Sequence, residues 1–276
     1  MDELNYLKSI LLGFLEGISS LLPVGDSGHV LLLERMSGIA LTGEELIPAM
    51  TALRAGVLLA VLIGCIKPLL SMLRHPVKGE LKYVLLSCLP LLGVSLILRA
   101  AGWDRLLRSS AYTLLPFAFL FTGVILFLAQ GIAKNRRLAD SAQNKVGLKH
   151  AAALSLMQIL SVFPGVSLAG MELSGCLSSG LKAKKTSEFS FLSMVPALLV
   201  LYLPDALTAA KSGALRQAVN ENGIMLLCGL AAAMLTGLAA LKLTQWLVKK
   251  EKLRFVTLYL IVASAAVLIL TAAGKL

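Results

Sequence analysis

Residues 16–29 read EGISSLLPVGDSGH, in a chain that is 57% hydrophobic. The stretch combines two acidic residues, three serines and a histidine, and Pro23, Gly25 and Gly28 interrupt it. An unsatisfied polar group in hydrocarbon costs several kcal/mol, so a membrane helix with this mixture is expected to face a cavity. A broken, polar segment at membrane depth therefore predicts a functional site.

A second stretch, residues 148–180, can be laid over residues 7–38. Both begin Leu-Lys, both end Ser-Gly, and each has a proline sixteen residues after its first leucine. These prolines, Pro23 and Pro164, are separated by about half the chain length. The ordered series predicts an internal duplication within one membrane domain, with repeats at about 1–140 and 141–276.

The composition excludes a soluble globular domain. The mean hydropathy is +0.83 and only 15% of the residues are charged. Apolar runs of membrane-spanning length recur, which is typical of a polytopic α-helical membrane protein. The net charge of +11 does not predict a nucleic-acid partner, because the basic residues lie mostly in short connections, where they set topology and meet anionic lipid.

The order of the apolar runs predicts two helical hairpins and six spans. The hairpins cover residues 5–36 and 148–181. The spans are expected at residues 47–66, 81–98, 112–133, 187–207, 223–248 and 255–273. If a hairpin enters and leaves by one face, the three crossings that follow invert the second half relative to the first. The predicted fold is all-α, with two inverted repeats, each a re-entrant helical hairpin plus three transmembrane helices.

The basic residues predict the orientation. In this plan, the connections on one face carry twice as many lysines and arginines as the face that holds both termini. An excess of positive residues marks the cytoplasmic side. Both termini are therefore predicted outside, and the two hairpins are expected to enter from opposite faces and meet near the midplane.

The motif LxGxxEGxxxxLPVxxSGH over residues 11–29 resembles the first signature of the bacterial undecaprenyl-diphosphate phosphatases of the bacitracin-resistance type. Residues 164–170, PGVSxxG, and residues 187–196, SEFSFLxxVP, are similar to their second signature. The length, the number of spans and the duplication also agree. The resemblance implies a multi-pass protein of the bacterial inner membrane, whose hairpins build an outward-facing site that removes the terminal phosphate of the C55 carrier-lipid pyrophosphate.

The first motif departs from the family pattern, which reads EGx[ST]EFLP[VI]SS[TS]GH. The second glutamate position holds Ser20, and the two-serine position holds Gly25 and Asp26. The positions that match the pattern are Glu16, Ser27, Gly28 and His29.

The second motif departs further from its pattern, PGxSRSG[AS]T. Ser167 and Gly170 are kept, but the arginine position holds Leu168, the next serine position holds Ala169 and the threonine position holds Glu172. An arginine offers phosphate a bidentate fork, whereas a leucine offers none. These exchanges make the predicted cavity more acidic.

Arg54 in the first full span needs a partner, because an intramembrane charge is costly when it is unpaired. The candidates are Glu16, Asp26 and Glu172. Two interpretations stay open: Arg54 only neutralises a carboxylate, or the phosphate clamp of the second motif has moved to the other repeat.

The candidate catalytic residues are Glu16, His29 and Asp26. His29 is interpreted as a general acid/base or nucleophile, or alternatively as a helix cap at the hairpin tip. Asp26 either replaces a hydroxyl nucleophile or caps the helix that follows. We expect Glu16 and His29 to share one pocket with Ser167.

The candidate substrate-binding residues lie at both hairpin tips and in the first span. They are Ser27, Gly28, Arg54, Ser167 and Gly170. Helix N-termini at the tips would add positive partial charge for an anion. Glu16 and Glu172 are candidate ligands of a Mg²⁺ or Ca²⁺ ion, and the alternative for Glu172 is an ion pair with Arg54.

Two functions remain open from the sequence. One is a divergent polyprenyl-diphosphate phosphatase that uses Glu16, His29 and a divalent cation, with Arg54 in place of the lost arginine. The other is a protein that binds or translocates polyprenyl phosphate without hydrolysing it. A cation- or proton-coupled carrier has no motif behind it. The expected partners are the polyprenyl lipid and the membrane, and a homodimer is left open.

Overall fold

The computed structural model describes residues 6–37, 47–74, 79–103, 111–139 and 141–273. Over these ranges the named elements are all helices. In chain order they are α1 (Tyr6–Leu21), α2 (Asp26–Ser37), α3 (Ile47–Gly64), α4 (Ile66–Arg74), α5 (Leu81–Ala100), α6 (Ala111–Leu138), α7 (Leu148–Leu160), α8 (Leu168–Ser179), α9 (Ala183–Lys211), α10 (Ala214–Lys249) and α11 (Arg254–Ala272).

Six of these helices are long and apolar enough to cross a membrane, namely α3, α5, α6, α9, α10 and α11. The shortest has 18 residues, which at about 1.5 Å per residue approaches the thickness of the hydrocarbon core. They coincide with the six predicted spans. The predicted all-α polytopic membrane fold is therefore confirmed, while the inversion of one repeat relative to the other stays a prediction.

Two helical hairpins lie where the sequence predicts them. α1 packs on α2, and α7 packs on α8. These four helices have 12 to 16 residues, fewer than a helix needs to cross the hydrocarbon core. Each hairpin reverses through a glycine in the left-handed region, Gly25 and Gly165, both at φ +88°.

Small residues hold the first hairpin against its neighbours. α1 packs on α3 and α10. A Cβ added at Gly13 would overlap the carbonyl oxygen of Gly229, and one added at Gly17 would overlap that of Ala233. Membrane helices lack a hydrophobic drive to associate, so close backbone approach at small residues supplies much of the packing energy. This contact fixes the position of the polar residues further along α1.

α4 lies in a segment that the sequence predicts as a basic connection. Its residues divide into three stripes at helical spacing. Met72 is buried against the core, whereas Ile66, Leu70 and Leu73 are exposed. The third stripe is polar and contains Lys67, Ser71 and Arg74. This segment is thus a short amphipathic helix at the end of the first span.

Candidate functional site

The two hairpin tips touch each other. The Ser27 hydroxyl oxygen accepts a hydrogen bond from the backbone N–H of Gly165 at 3.0 Å. A Cβ added at Gly25 would lie 2.5 Å from the carbonyl oxygen of Gly165. The left-handed turns bring the two backbones together because neither tip residue carries a side chain.

A cavity of about 250 Å³ lies beside this contact. Both hairpins and four of the long helices contribute to its wall. Its charged and polar residues are Glu16, Asp26, Ser27, Arg54, Ser95, Arg99, Tyr112, Ser161, Tyr202 and Asp205. The rest of the lining is apolar and consists of Val30, Leu31, Leu98, Ala111, Val162, Pro164, Val166, Leu168 and Leu201.

Arg54 and Glu16 form an ion pair in the cavity wall. The Arg54 Nε lies 3.7 Å from the Glu16 Oε1, and the Glu16 side chain is only 2% exposed. The guanidinium carbon lies 3.9 Å from the ring centroid of Tyr202, a cation–π arrangement. Among the described residues, the Nε has no hydrogen-bond acceptor. The Nε is therefore buried beside Glu16, while the Tyr202 ring orients the guanidinium.

Asp26 is the first residue of α2 and is held from two directions. Its Oδ2 accepts a hydrogen bond from the Tyr202 hydroxyl at 2.7 Å and a longer one from the Ser20 hydroxyl at 3.5 Å. A carboxylate in the first turn of a helix is favoured by the helix dipole. Tyr202 therefore links Asp26 to Arg54 across the cavity.

Glu16 has fewer hydrogen bonds than a buried carboxylate usually receives. It is 1% exposed, and neither carboxylate oxygen accepts a hydrogen bond within the described ranges. Ser20 lies near both acids, but its single hydroxyl proton serves one acceptor at a time. Arg54 is thus the main compensation for the Glu16 charge.

A second ion pair lines the cavity. The Arg99 Nη1 lies 3.1 Å from the Asp205 Oδ1, and its Nη2 donates to the Leu201 carbonyl oxygen at 3.1 Å. Asp205 follows Tyr202 by three positions on α9, so the two side chains share one helix face. Among the described residues, the cavity lining therefore contains two arginines and three carboxylates.

His29 lies outside the cavity lining. Its Nδ1 donates to the Gly25 carbonyl oxygen at 2.6 Å, because a carbonyl oxygen only accepts. Its Nε2 lies 2.6 Å from the Tyr259 hydroxyl. The expectation that His29 shares the pocket with Glu16 is wrong, because both ring nitrogens are engaged between the hairpin tip and α11.

Ser167 is also absent from the lining, so the expectation of one shared pocket is wrong for this residue as well. Its hydroxyl caps α8 by accepting from the Gly170 N–H at 3.1 Å. Gly28 packs on Phe119, where an added Cβ would lie 2.5 Å from the Cε1 atom. His29, Ser167 and Gly28 thus shape the hairpin tips and do not line the cavity.

Glu172 is fully buried away from the cavity. Its Oε1 accepts from the Gln158 amide at 2.7 Å, and the residue does not line the cavity that contains Glu16. The two glutamates proposed as metal ligands thus face different surroundings. Of the three candidate partners of Arg54, Glu16 is the one within ion-pair distance.

Residues 9–266 match the family model described as bacitracin resistance protein BacA. The chain belongs to the BacA family. It is 29% identical to an undecaprenyl-diphosphatase of Carboxydothermus hydrogenoformans, over 99% of this chain and 100% of that protein. An undecaprenyl-diphosphatase of Korarchaeum cryptofilum is 25% identical, over 95% of this chain and 97% of its own. One of Treponema denticola is 27% identical, over 94% of both chains.

Two departures from the BacA motif pattern contact each other, and one of them, Asp26, lines the cavity. The pattern has a glutamate where this chain has Ser20 and a serine where it has Asp26, and these two side chains contact each other. The acid and the hydroxyl have therefore exchanged positions. Leu168, at the arginine position, lines the same cavity as Arg54.

Tyr202, Asp205 and Arg99 are cavity residues that the sequence reasoning missed. Arg99 is one of the basic residues counted on the face that holds both termini, and its sequence context predicts no further role. The available signal was weak: a tyrosine and an aspartate three positions apart near the end of a predicted span share one face of the helix. Their proximity to the first hairpin depends on the tertiary fold.

Proposed function

We propose that this protein hydrolyses a polyprenyl diphosphate, releasing the terminal phosphate and leaving the polyprenyl monophosphate. The observation that supports this proposal best is the placement of Arg54. Arg54 lines a cavity built from both hairpin tips, and Leu168, which occupies the arginine position of the BacA pattern, lines the same cavity. An arginine in this position offers the fork that phosphate oxygens require.

The lining suits a ligand with a charged end and an apolar body. The polar groups gather around Arg54 and Asp26, whereas Val30, Leu31 and Leu98 contribute apolar wall. A diphosphate would lie against the polar groups, and the first prenyl units would lie against the apolar wall. The relatives are named undecaprenyl-diphosphatase, and that name gives such a lipid as their substrate.

In the proposed reaction, the oxygen of a water molecule forms a bond to the terminal phosphorus. The bond from that phosphorus to the bridging oxygen breaks, and its electron pair stays on the bridging oxygen of the polyprenyl monophosphate. Arg54 stabilises the charge on the terminal phosphate oxygens, which is the main contribution an enzyme makes to phosphoryl transfer. Asp26, oriented by Tyr202, accepts the proton that the water loses.

A divalent cation suits the carboxylates of the cavity. Glu16 and Asp26 both line it, and Mg²⁺ is commonly held by one or two carboxylates together with substrate phosphates. Within the described ranges no group of three or more metal-binding side chains occurs, so substrate oxygens would supply further ligands. We propose Glu16 as a ligand of Mg²⁺ or Ca²⁺, which when bound would neutralise phosphate charge.

We also propose that the cavity opens on the outer face of the bacterial inner membrane, with both termini outside. Arg99, Ala111 and Asp205 line the cavity and lie near the ends of their helices that the charge distribution assigns to the outer face. Fusion of alkaline phosphatase or green fluorescent protein to the C-terminus tests this orientation. An active phosphatase fusion and a dark fluorescent fusion are expected, and the reverse pair would overturn it.

Phosphate release from C55 diphosphate by purified protein in detergent, with and without Mg²⁺, tests hydrolysis. We expect turnover that depends on the metal ion and is lost in the Glu16→Ala variant. The matched control is Glu221→Ala, which removes an exposed carboxylate that is absent from the cavity lining. If the native protein shows no turnover above Glu16→Ala, the protein is not a phosphatase.

Binding or translocation without hydrolysis is the second candidate function. It is favoured by Leu168 and Ala169, which replace an arginine and a serine of the BacA pattern. Labelled polyprenyl phosphate in proteoliposomes measures this activity. Exchange between leaflets that is faster than in empty vesicles, in a protein without phosphate release, would support this function over hydrolysis.

A further inference from the structure

A second cavity, of about 910 Å³, lies at the opposite end of the molecule. It is enclosed by the end of α3, by α4, by the beginning of α9 and by the later part of α10. Lys185 lies at the beginning of α9 and Tyr202 lies seventeen positions later, which corresponds to about 25 Å along the helix. The two cavities are therefore separate sites that share α3 and α9.

The charged lining of this second cavity is predominantly basic. Its described residues include four lysines and two glutamates, namely Lys67, Lys184, Lys185, Lys242, Glu80 and Glu188. Lys185 is paired with both acids, at 3.0 Å from Glu80 and 3.2 Å from Glu188. Within the described ranges, Lys67 and Lys242 have no carboxylate partner and are exposed. The cavity therefore has an excess of positive charge.

The apolar surroundings indicate that the anion carries acyl chains. Ile63 and Ile66 line the same cavity and are about half exposed. On α4 the exposed stripe of Ile66, Leu70 and Leu73 runs beside the polar stripe of Lys67, Ser71 and Arg74. A helix with this pattern, placed at the end of a span, lies in the membrane interface with its apolar stripe towards the acyl chains.

We propose that this second cavity binds the headgroup of an anionic phospholipid. Lys67 and Lys242 contact the phosphate, and the apolar stripe of α4 contacts the upper part of the acyl chains. Basic cavities between transmembrane helices are suited to such headgroups, since each lysine near an anionic lipid contributes about 1 kcal/mol. The site is independent of the proposed hydrolysis, because it lies at the other end of α9.

Thermal unfolding of the full chain in mixed micelles tests this site. The probe is phosphatidylglycerol, compared with phosphatidylcholine and with inorganic phosphate. We expect phosphatidylglycerol alone to raise the midpoint of unfolding. The double variant Lys67→Gln/Lys242→Gln should require roughly 25-fold more phosphatidylglycerol for the same shift, at roughly fivefold per lysine.

The matched control is Lys249→Gln/Lys250→Gln, which removes two exposed lysines at the end of α10 that do not line this cavity. It should respond to phosphatidylglycerol as the native chain does. An equal loss in both double variants, or no loss in either, would overturn the site. A midpoint shift by inorganic phosphate or phosphatidylcholine of the same size would overturn the lipid specificity. Phosphate release from C55 diphosphate in the native chain does not depend on any of these outcomes.

Discussion

Gly25 and Gly165 have the same left-handed backbone conformation, at φ +88°, and their backbones touch at the tips of the two hairpins. A Cβ on Gly25 would lie 2.5 Å from the Gly165 carbonyl oxygen and 3.6 Å from the Ser167 nitrogen. These distances leave no room for a side chain at the tip of the first hairpin. The wall of the cavity that Arg54 and Asp26 line therefore depends on a contact between residues that are far apart in the chain.

Gly25→Ala should lower both stability and activity. The left-handed conformation alone costs an alanine about 1–2 kcal/mol, and the overlap with Gly165 adds to that cost. Gly213→Ala is a matched control, because Gly213 has φ +80° but nothing within 4 Å of an added Cβ. The midpoint of thermal unfolding and the rate of phosphate release should both fall further in Gly25→Ala than in Gly213→Ala. Equal effects of the two variants would show that the tip contact contributes nothing beyond backbone strain.

Arg54→Leu should abolish most of the phosphate release. A catalytic arginine that stabilises phosphoryl transfer is worth about three to five decades of rate, so we expect a fall of about 10³-fold or more in kcat/KM. The kcat/KM of Arg54→Lys should lie between those of the native chain and of Arg54→Leu, because an ammonium keeps the charge but not the bidentate geometry of the guanidinium. The measurement is single-turnover phosphate release together with affinity for polyprenyl monophosphate.

Arg137→Leu serves as the control for Arg54→Leu. Arg137 pairs with Glu251 at 2.8 Å, but its side chain is 62% exposed and does not line the Arg54 cavity. Exposed ion pairs contribute little to stability. Unchanged lipid-phosphate affinity in Arg54→Leu would show that Arg54 only neutralises Glu16, and the idea of a relocated clamp would then be abandoned.

Leu168→Arg should restore activity to the Arg54→Leu variant. Leu168 occupies the arginine position of the BacA pattern and lines the same cavity as Arg54. A guanidinium at either position would therefore reach the same phosphate. We expect the double variant to regain at least tenfold in kcat/KM over Arg54→Leu, whereas Leu168→Met in the same background should regain nothing. Failure of Leu168→Arg to rescue, or an equal rescue by Leu168→Met, would indicate that the two positions do not serve one ligand.

Much of this fold could be predicted because its signals are local in the sequence. Apolar length defines each span, and a proline and a glycine mark the reversal of each hairpin. Glu16 as a partner of Arg54 was among the candidates because few intramembrane charges exist to choose from. The exception was α4, where nine residues are too short for a periodic pattern to stand out from a basic connection.

The composition of the cavity could be predicted only in part, because it depends on contacts between distant residues. Tyr202 reaches Asp26 across 176 positions, and Tyr259 reaches His29 across 230. The motif leaves His29 open as a catalytic residue or a helix cap, and the direction of its ring is set by the Gly25 carbonyl and by a tyrosine on the last helix. Ser167 shows the same limit, since a serine at a helix start serves equally well as a cap or as a ligand.

The exchange of Ser20 and Asp26 predicts a compensating pair of substitutions. Asp26→Ser alone should reduce activity by about 10²-fold or more, because it removes the proposed proton acceptor. Ser20→Glu alone should also reduce it, since Glu16, Asp26 and the added carboxylate would repel one another. The double variant restores the BacA pattern at both positions. Its kcat/KM should be at least tenfold higher than the product of the two single-variant effects predicts, because substitutions at contacting residues are not additive.

Simple additivity in this cycle would contradict the exchange. A suitable control is Ser20→Glu combined with Glu221→Ala, which keeps the total charge of Ser20→Glu/Asp26→Ser but removes an exposed acid. That combination should show no recovery. Recovery in the control would mean that net charge matters, rather than the contact between residues 20 and 26.

His29 should act by positioning the first hairpin tip, and Tyr259→Phe separates this role from acid–base catalysis. The substitution keeps the imidazole but removes the hydroxyl that lies 2.6 Å from its Nε2. If His29 positions the tip, His29→Ala and Tyr259→Phe should each lower kcat by about tenfold. The double variant should have a kcat no lower than that of His29→Ala. The dependence of kcat on pH should keep its shape in all three variants. Tyr83→Phe is the control, because the Tyr83 ring stacks under Lys82 away from the cavity. A general acid or base contributes about 10²–10⁴-fold to the rate. If His29→Ala loses that much activity while Tyr259→Phe keeps full activity, the imidazole acts in proton transfer instead.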